Sequence, residues 1–160
     1  ENLVMDEEGD WQFLALLIRM AVKVFYVAYA RQEQKKYNLQ VWNRGICPVC
    51  GQQPMLGRLR SGDGARSLEC GLCHTQWSFS RVVCPCCSNE NQDALGFFYH
   101  QQRQDRRVYI CNGCKFYLKT VVLKETQREI IGELEDAATL YLDVLAHEEG
   151  YNLEGKPVWH

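Results

Sequence analysis

Four Cys-x-x-Cys pairs constrain this chain more than any other feature: Cys47-Pro48-Val49-Cys50, Cys70-Gly71-Leu72-Cys73, Cys84-Pro85-Cys86-Cys87 and Cys111-Asn112-Gly113-Cys114. Two cysteines separated by two residues can face one ion from a single tight turn, and a closed tetrahedral site needs two such turns. Residues 51–69 and residues 88–110 each carry one hairpin signal, which would bring the flanking turns face to face. The spacing therefore predicts serial pairing, with Cys47, Cys50, Cys70 and Cys73 around one metal ion and Cys84, Cys87, Cys111 and Cys114 around a second. Cross-braced pairing and redox-active dithiols or disulfides are the alternatives. Modules of roughly 40 residues bury too little apolar surface to fold without a metal or a disulfide. All-sulfur donors suit zinc or a single iron, and spacing does not choose between them. Gly51 after the first pair lets backbone N–H groups turn toward sulfur, whereas His74, Ser88 and Lys115 follow the others and favour this less. Cys86, the ninth thiol, and His74 are read as bystanders rather than ligands.

Composition narrows the function classes. With 46% hydrophobic and 24% charged residues, the chain is neither disordered nor fibrous. An odd count of nine cysteines argues against a secreted disulfide framework and for a reducing, cytoplasmic setting. Net charge is −1 over residues 1–43, +6 over 44–124 and −7 over 125–160, so the chain as a whole is no polycation. Two divalent ions held by eight thiolates would remove four charges from the middle segment. Arg58, Arg60, Arg66, Arg81, Arg103, Arg106 and Arg107 are accordingly expected to neutralise mainly the metal sites, so nucleic acid is not the expected partner. Phe97, Phe98 and Tyr99 read as core on one strand face. No Gly-rich phosphate loop, Ser/His/Asp pattern or open three-ligand motif occurs, so no enzyme is expected. Asp143 and His147, four apart, would merely pair at a helix surface.

Organisation follows from periodicity. Asp10 is placed as the cap of a helix from Trp11 to Tyr37 whose polar stripe, Gln12, Arg19 and Lys23, is narrow. Arg19 and Lys23 in mid-run oppose a membrane span, so the helix is expected to be buried. Its cover would be a partner, a second copy, or a larger helical region of which residues 1–43 are a remnant, as the start at Glu1 rather than Met suggests. Met55–Arg60 and Ala65–Glu69 flank the turn Ser61-Gly62-Asp63-Gly64. Thr75–Val83 is expected to be an extended strand holding the two sites apart. Ala94–His100, Arg106–Ile110 and Phe116–Leu123 complete a second, similar set. Thr126 and Glu129 fit a capping box, followed by an apolar stripe at Ile130, Leu134, Ala137, Ala138, Tyr141 and Leu145, with Gly150 as a left-handed stop before an irregular tail. The divisions are 1–43, 44–83, 84–124 and 125–160.

These motifs resemble the formate dehydrogenase accessory protein family, FdhE. The resemblance is carried by Arg44-Gly45-Ile46-Cys47-Pro48-Val49-Cys50-Gly51, Leu68-Glu69-Cys70-Gly71-Leu72-Cys73 with Trp77, and Arg81-Val82-Val83-Cys84 with Cys87. It continues through Cys111-Asn112-Gly113-Cys114 into Tyr117-Leu118-Lys119, and through Leu142-Asp143 to Glu149-Gly150-Tyr151. It implies a small, metal-bound α+β fold: tandem rubredoxin-like or zinc-ribbon β-modules flanked by an N-terminal and a C-terminal α-helix. It also implies a cytoplasmic, non-catalytic protein that binds the formate dehydrogenase catalytic subunit during maturation, and it favours iron over zinc as the ion in both sites. A zinc-ribbon nucleic-acid-binding protein and a rubredoxin-like electron carrier are the competing readings.

Overall fold

Two hairpins, the first turning through glycines and the second through the polar segment Gln101–Asp105, organise the architecture. The computed structural model describes residues 7–36, 38–60, 62–123 and 130–154. β1 (Pro54–Leu59) and β2 (Arg66–Cys70) pair antiparallel, and β3 (Gln76–Ser78) adds to β2. Gly62 and Gly64 in the first turn have φ of 95° and 65°, values that favour glycine. β4 (Leu95–Tyr99), β5 (Arg106–Cys111) and β6 (Tyr117–Val122) form the second antiparallel set. The two sets are one sheet, in the order β3-β2-β1-β6-β5-β4. The seam is parallel and aligns Gly57 with Thr120, Arg58 with Val121 and Leu59 with Val122. Gly57 permits this approach: a Cβ there would lie 2.5 Å from the Thr120 hydroxyl. β6 is buried along its whole length, as a central strand covered on both faces must be.

The expected long strand over Thr75–Val83 is only three residues, and the chain turns at Arg81 and Val82. The Arg66 guanidinium takes the carbonyl oxygens of Ser80 and Val83, satisfying groups that would otherwise seek a neighbouring strand.

α1 (Glu7–Glu33) already runs through Asp10, which is therefore not its cap, and Tyr37 lies outside the described residues. An 18-residue window within Trp11–Glu33 has mean hydropathy 1.8, long and apolar enough to cross a membrane. The helix is not buried as expected. Trp11 is 71% and Phe25 76% exposed, because only the C-terminal end of α1 reaches the sheet. There Ala30 is fully buried and the Gln34 amide donates to the Thr75 hydroxyl at 3.0 Å.

The C-terminal segment also departs from expectation. It forms two helices, α2 (Gly132–Ala138) and α3 (Leu140–Glu148), broken at Thr139, whose hydroxyl donates to the Glu135 carbonyl. The expected capping box lies outside the described residues. The buried stripe is Glu135, Thr139, Leu142 and Ala146, whereas Leu134 is 63% exposed. The reason is the surface beneath: the sheet presents Arg106 and Lys119 to these helices. Arg106 donates from Nε and Nη2 to Glu135 at 2.9 and 2.6 Å, and Lys119 donates to Asp143 at 2.8 Å. Asp143 also accepts from the Tyr117 hydroxyl at 2.9 Å, while the His147 ring stands edge-on to Tyr117. These two residues are thus anchored to β6 rather than to each other. Gly150 takes the left-handed conformation expected, with φ of 80°.

Candidate metal centres

Each cysteine turn is the same backbone device repeated four times. The N–H of its first cysteine donates to the carbonyl five residues on: Cys47 to Gln52, Cys70 to Thr75, Cys84 to Asn89 and Cys111 to Phe116, at 2.8–3.0 Å. The carbonyl of that cysteine accepts from the residue after the second one: Gly51, His74, Ser88 or Lys115, at 2.8–3.1 Å. These four residues have φ of 74°, 58°, 57° and 61°. Three of them are not glycine, and each such left-handed residue costs on the order of 1 kcal/mol. The expectation that glycine singles out the first turn understated this regularity. The turn geometry, imposed by paired hydrogen bonds, overrides residue preference.

The turns meet in pairs. Cys47, Cys50, Cys70 and Cys73 converge in one cluster and Cys84, Cys87, Cys111 and Cys114 in the other, all sulfurs of a cluster lying within 4.8 Å of one another. The grouping is serial. In the first, Cys47–Cys73, Cys50–Cys70 and Cys50–Cys73 sulfurs are 3.5, 3.3 and 3.6 Å apart; in the second, Cys84–Cys114 and Cys87–Cys111 are 3.7 and 3.8 Å apart. A tetrahedron with metal–sulfur bonds near 2.3 Å has edges of about 3.8 Å. The donor set and spacing fit a single four-coordinate ion in either cluster. Cys50 and Cys87 are half-buried while the other six are buried, so each cluster has one corner toward solvent, at the same place in the repeat.

Without a cation the thiols share protons unequally. Burial pushes the Cys50 and Cys84 thiols up to about 12. Hydrogen bonds from Cys47, Cys70 and Thr75 hold Cys73 well below the ordinary thiol range. Four sulfurs this close cannot all ionise unless positive charge replaces the protons.

The supports are polar and come from distant elements. Thr75 lies 3.1 Å from the Cys73 sulfur and receives Gln34 from α1. The Trp77 and Trp42 indoles donate to the carbonyls of Arg44 and Ile46, bracing the approach to Cys47. The Tyr151 hydroxyl donates to Asn112 at 2.6 Å inside the fourth turn. Gly45 packs on the Pro85 carbonyl so closely that no Cβ fits, and the cysteines of both clusters share one apolar core with Leu68, Trp77 and Leu118.

Comparison with known proteins places this arrangement. The family model "FdhE, central domain" matches residues 46–81. A protein FdhE homolog from Aquifex aeolicus (strain VF5) is 30% identical over 128 residues, which is 78% of this chain and 45% of that protein. One from Pseudomonas aeruginosa is 34% identical over 116 residues, covering 68% of this chain and 37% of the relative. The crystal structure of the FdhE protein from Pseudomonas aeruginosa superposes with a TM-score of 0.61 at 33% identity, covering 73% of this chain and 43% of that one. The chain belongs to the FdhE family. It spans less than half the length of these FdhE relatives.

The remaining expected site residues fall as follows. Cys86 stays outside the second quartet, half-buried, with its thiol directed at the Glu154 carbonyl. His74 lies 3.8 Å from both Glu69 and Glu133, away from the sulfurs. The arginines do not mainly neutralise the clusters. Arg58 pairs with Glu69, Arg60 with Asp63, Arg103 with Asp105, and Arg106 with Asp105 and Glu135. Of the three aromatics on β4, Phe98 packs inward, whereas Phe97 and Tyr99 are 48% and 41% exposed. Phe97 stacks on both Tyr99 and Tyr109, with the Arg107 guanidinium over the Phe97 and Tyr99 rings.

Proposed function

We propose that this chain is a non-catalytic accessory module that binds the catalytic subunit of formate dehydrogenase while that enzyme is assembled in the cytoplasm. The observation that carries the reading is a pair of four-cysteine clusters fused into one sheet in a chain of the FdhE family. Supporting it, α1 leaves a long apolar surface uncovered, and exposed apolar area of this kind marks a contact with a protein or a membrane, taken here as the protein contact.

In this reading Cys47, Cys50, Cys70 and Cys73 hold one iron and Cys84, Cys87, Cys111 and Cys114 the other, with zinc as the alternative ion. When bound, the metal supplies fixed positive charge that clamps two turns per centre. The protein's own residues bury most of the sulfurs and donate hydrogen bonds to them. This is the arrangement of a rigid platform rather than of an open catalytic site, which would keep a coordination position free.

The test is anaerobic co-expression of the tagged chain with a formate dehydrogenase catalytic subunit, followed by elemental analysis. Recovery of the subunit together with two iron atoms per chain is expected. No co-purification, with full formate dehydrogenase activity in a strain lacking this gene, would overturn the reading. The aromatic stack of Phe97, Tyr99 and Tyr109 under Arg107 favours one second reading, a platform for single-stranded nucleic acid. A salt-dependent gel shift would separate the two.

A further inference from the structure

Arg66 stands apart from the other arginines of the sheet. Its side chain leaves β2, in the first half of the molecule, and is buried to 5% exposure. Nη2 donates to the carbonyls of Ser80 and Val83, the plane lies over the Phe79 ring at 5.1 Å, and Nε has no hydrogen-bond partner. Among the described residues no carboxylate pairs with it. Carbonyl oxygens satisfy donors but do not balance a buried charge, and an uncompensated one costs several kcal/mol.

Two cysteines of the second cluster border the same small cavity as Arg66. Arg66, Arg81, Cys84 and Cys111 all line one space of about 20 Å³. That volume has room for about one water. Val83, whose carbonyl Arg66 holds, immediately precedes Cys84. Four thiolates around a divalent ion carry a net charge of −2, placed where the arginine lacks a partner.

We propose that Arg66 is the counter-charge of the second metal centre, a positioning residue supplied by the first half of the sheet that strengthens cation binding at Cys84, Cys87, Cys111 and Cys114. This rests on the reading of the two clusters as metal centres. The halves are then coupled electrostatically as well as by packing: the second centre is complete only when β2 is in place.

The test uses the full chain loaded with cadmium, both centres being followed by cadmium NMR during titration with a chelator. Arg66→Met keeps the stem and loses the charge. Arg66→Gln is a second neutral variant that retains a donor for the carbonyls, in case the first does not fold. Arg66→Lys keeps the charge without the forked geometry. Binding at the second centre should weaken about 10–100-fold in a neutral variant, with the first centre unchanged and most of the loss restored by Lys. Unaltered affinity in a folded neutral variant would overturn the proposal. So would equal weakening at both centres, or failure of Lys to rescue, since each assigns Arg66 to packing alone. Failure of the wild-type chain to take cadmium at either cluster would instead remove the metal-centre reading on which the proposal rests.

Discussion

The C-terminal helices rest on the sheet through charge, and the Arg106–Glu135 pair offers the sharpest test of that arrangement. The two side chains are 2% and 4% exposed, and Glu135 receives both Nε and Nη2 of the arginine. Replacing Glu135 by leucine leaves those two donors without an acceptor in a site water does not reach. Removing one partner of a buried pair costs about 3–5 kcal/mol. Asp105 still contacts Nη1 of Arg106, which places the expected loss near the lower end, about 3 kcal/mol, or roughly two decades in the unfolding equilibrium. The double variant Arg106→Met with Glu135→Leu removes both charges and fills the space with apolar atoms. It should lie within about 1 kcal/mol of the wild type, about 2 kcal/mol more stable than the Glu135→Leu single variant. Urea unfolding of the metal-loaded chain, followed by tryptophan fluorescence and circular dichroism, supplies the free energies. A single variant that costs less than about 1 kcal/mol, or a double variant as unstable as the single, would show that this pair is solvated and that apolar packing alone holds α2.

Four further outcomes are expected. Cys47→Ser and Cys111→Ser should each lower the metal content by one equivalent per chain and unfold the local hairpin, since binding energy at such sites is also folding energy; unchanged stoichiometry by elemental analysis would contradict the ligand sets. Cys86→Ser should retain both metals, because this thiol lies outside the quartet; loss of one equivalent would make it a ligand. Metal uptake near neutral pH should release protons, because the metal-free Cys50 and Cys84 thiols, pushed up to about 12 by burial, hold theirs there. Protons then compete with the ion, so affinity falls as pH falls, which calorimetry in buffers of different ionisation enthalpy measures directly. Gly57→Val should cost about 1–3 kcal/mol by forcing a side chain against Thr120 and Leu118, with faster amide exchange concentrated at Gly57–Leu59 and Thr120–Val122.

Local features were legible wherever one residue's chemistry decided the outcome. The two hairpins, the strands other than the overlong one expected over Thr75–Val83, and the serial grouping of sulfurs follow from cysteine spacing, turn residues and alternation, all of them short-range. What escaped was long-range. Nothing in β1 or β6 by itself announces that they pair with each other, and a parallel seam has no turn to mark it. The C-terminal stripe was misread because an acidic residue, Glu135, points inward, and its reason lies in Arg106 on another element. The exposed α1 was misread for a related cause: apolar periodicity shows that a surface wants cover, not that the chain at hand provides it. The polar supports of the clusters, Gln34 with Thr75 and Tyr151 with Asn112, bridge distant segments and leave no local pattern.

The single passage of backbone between the two halves runs through the exposed turn at Arg81 and Val82, yet the halves are joined by a strand ladder, by Gly45 seated on Pro85, and by Arg66 reaching toward Cys84. A proteolytic nick at that turn would sever covalent continuity without removing one rung of the sheet. The halves therefore relate to each other as tightly associated subunits do, and the link between them is a tether rather than a hinge.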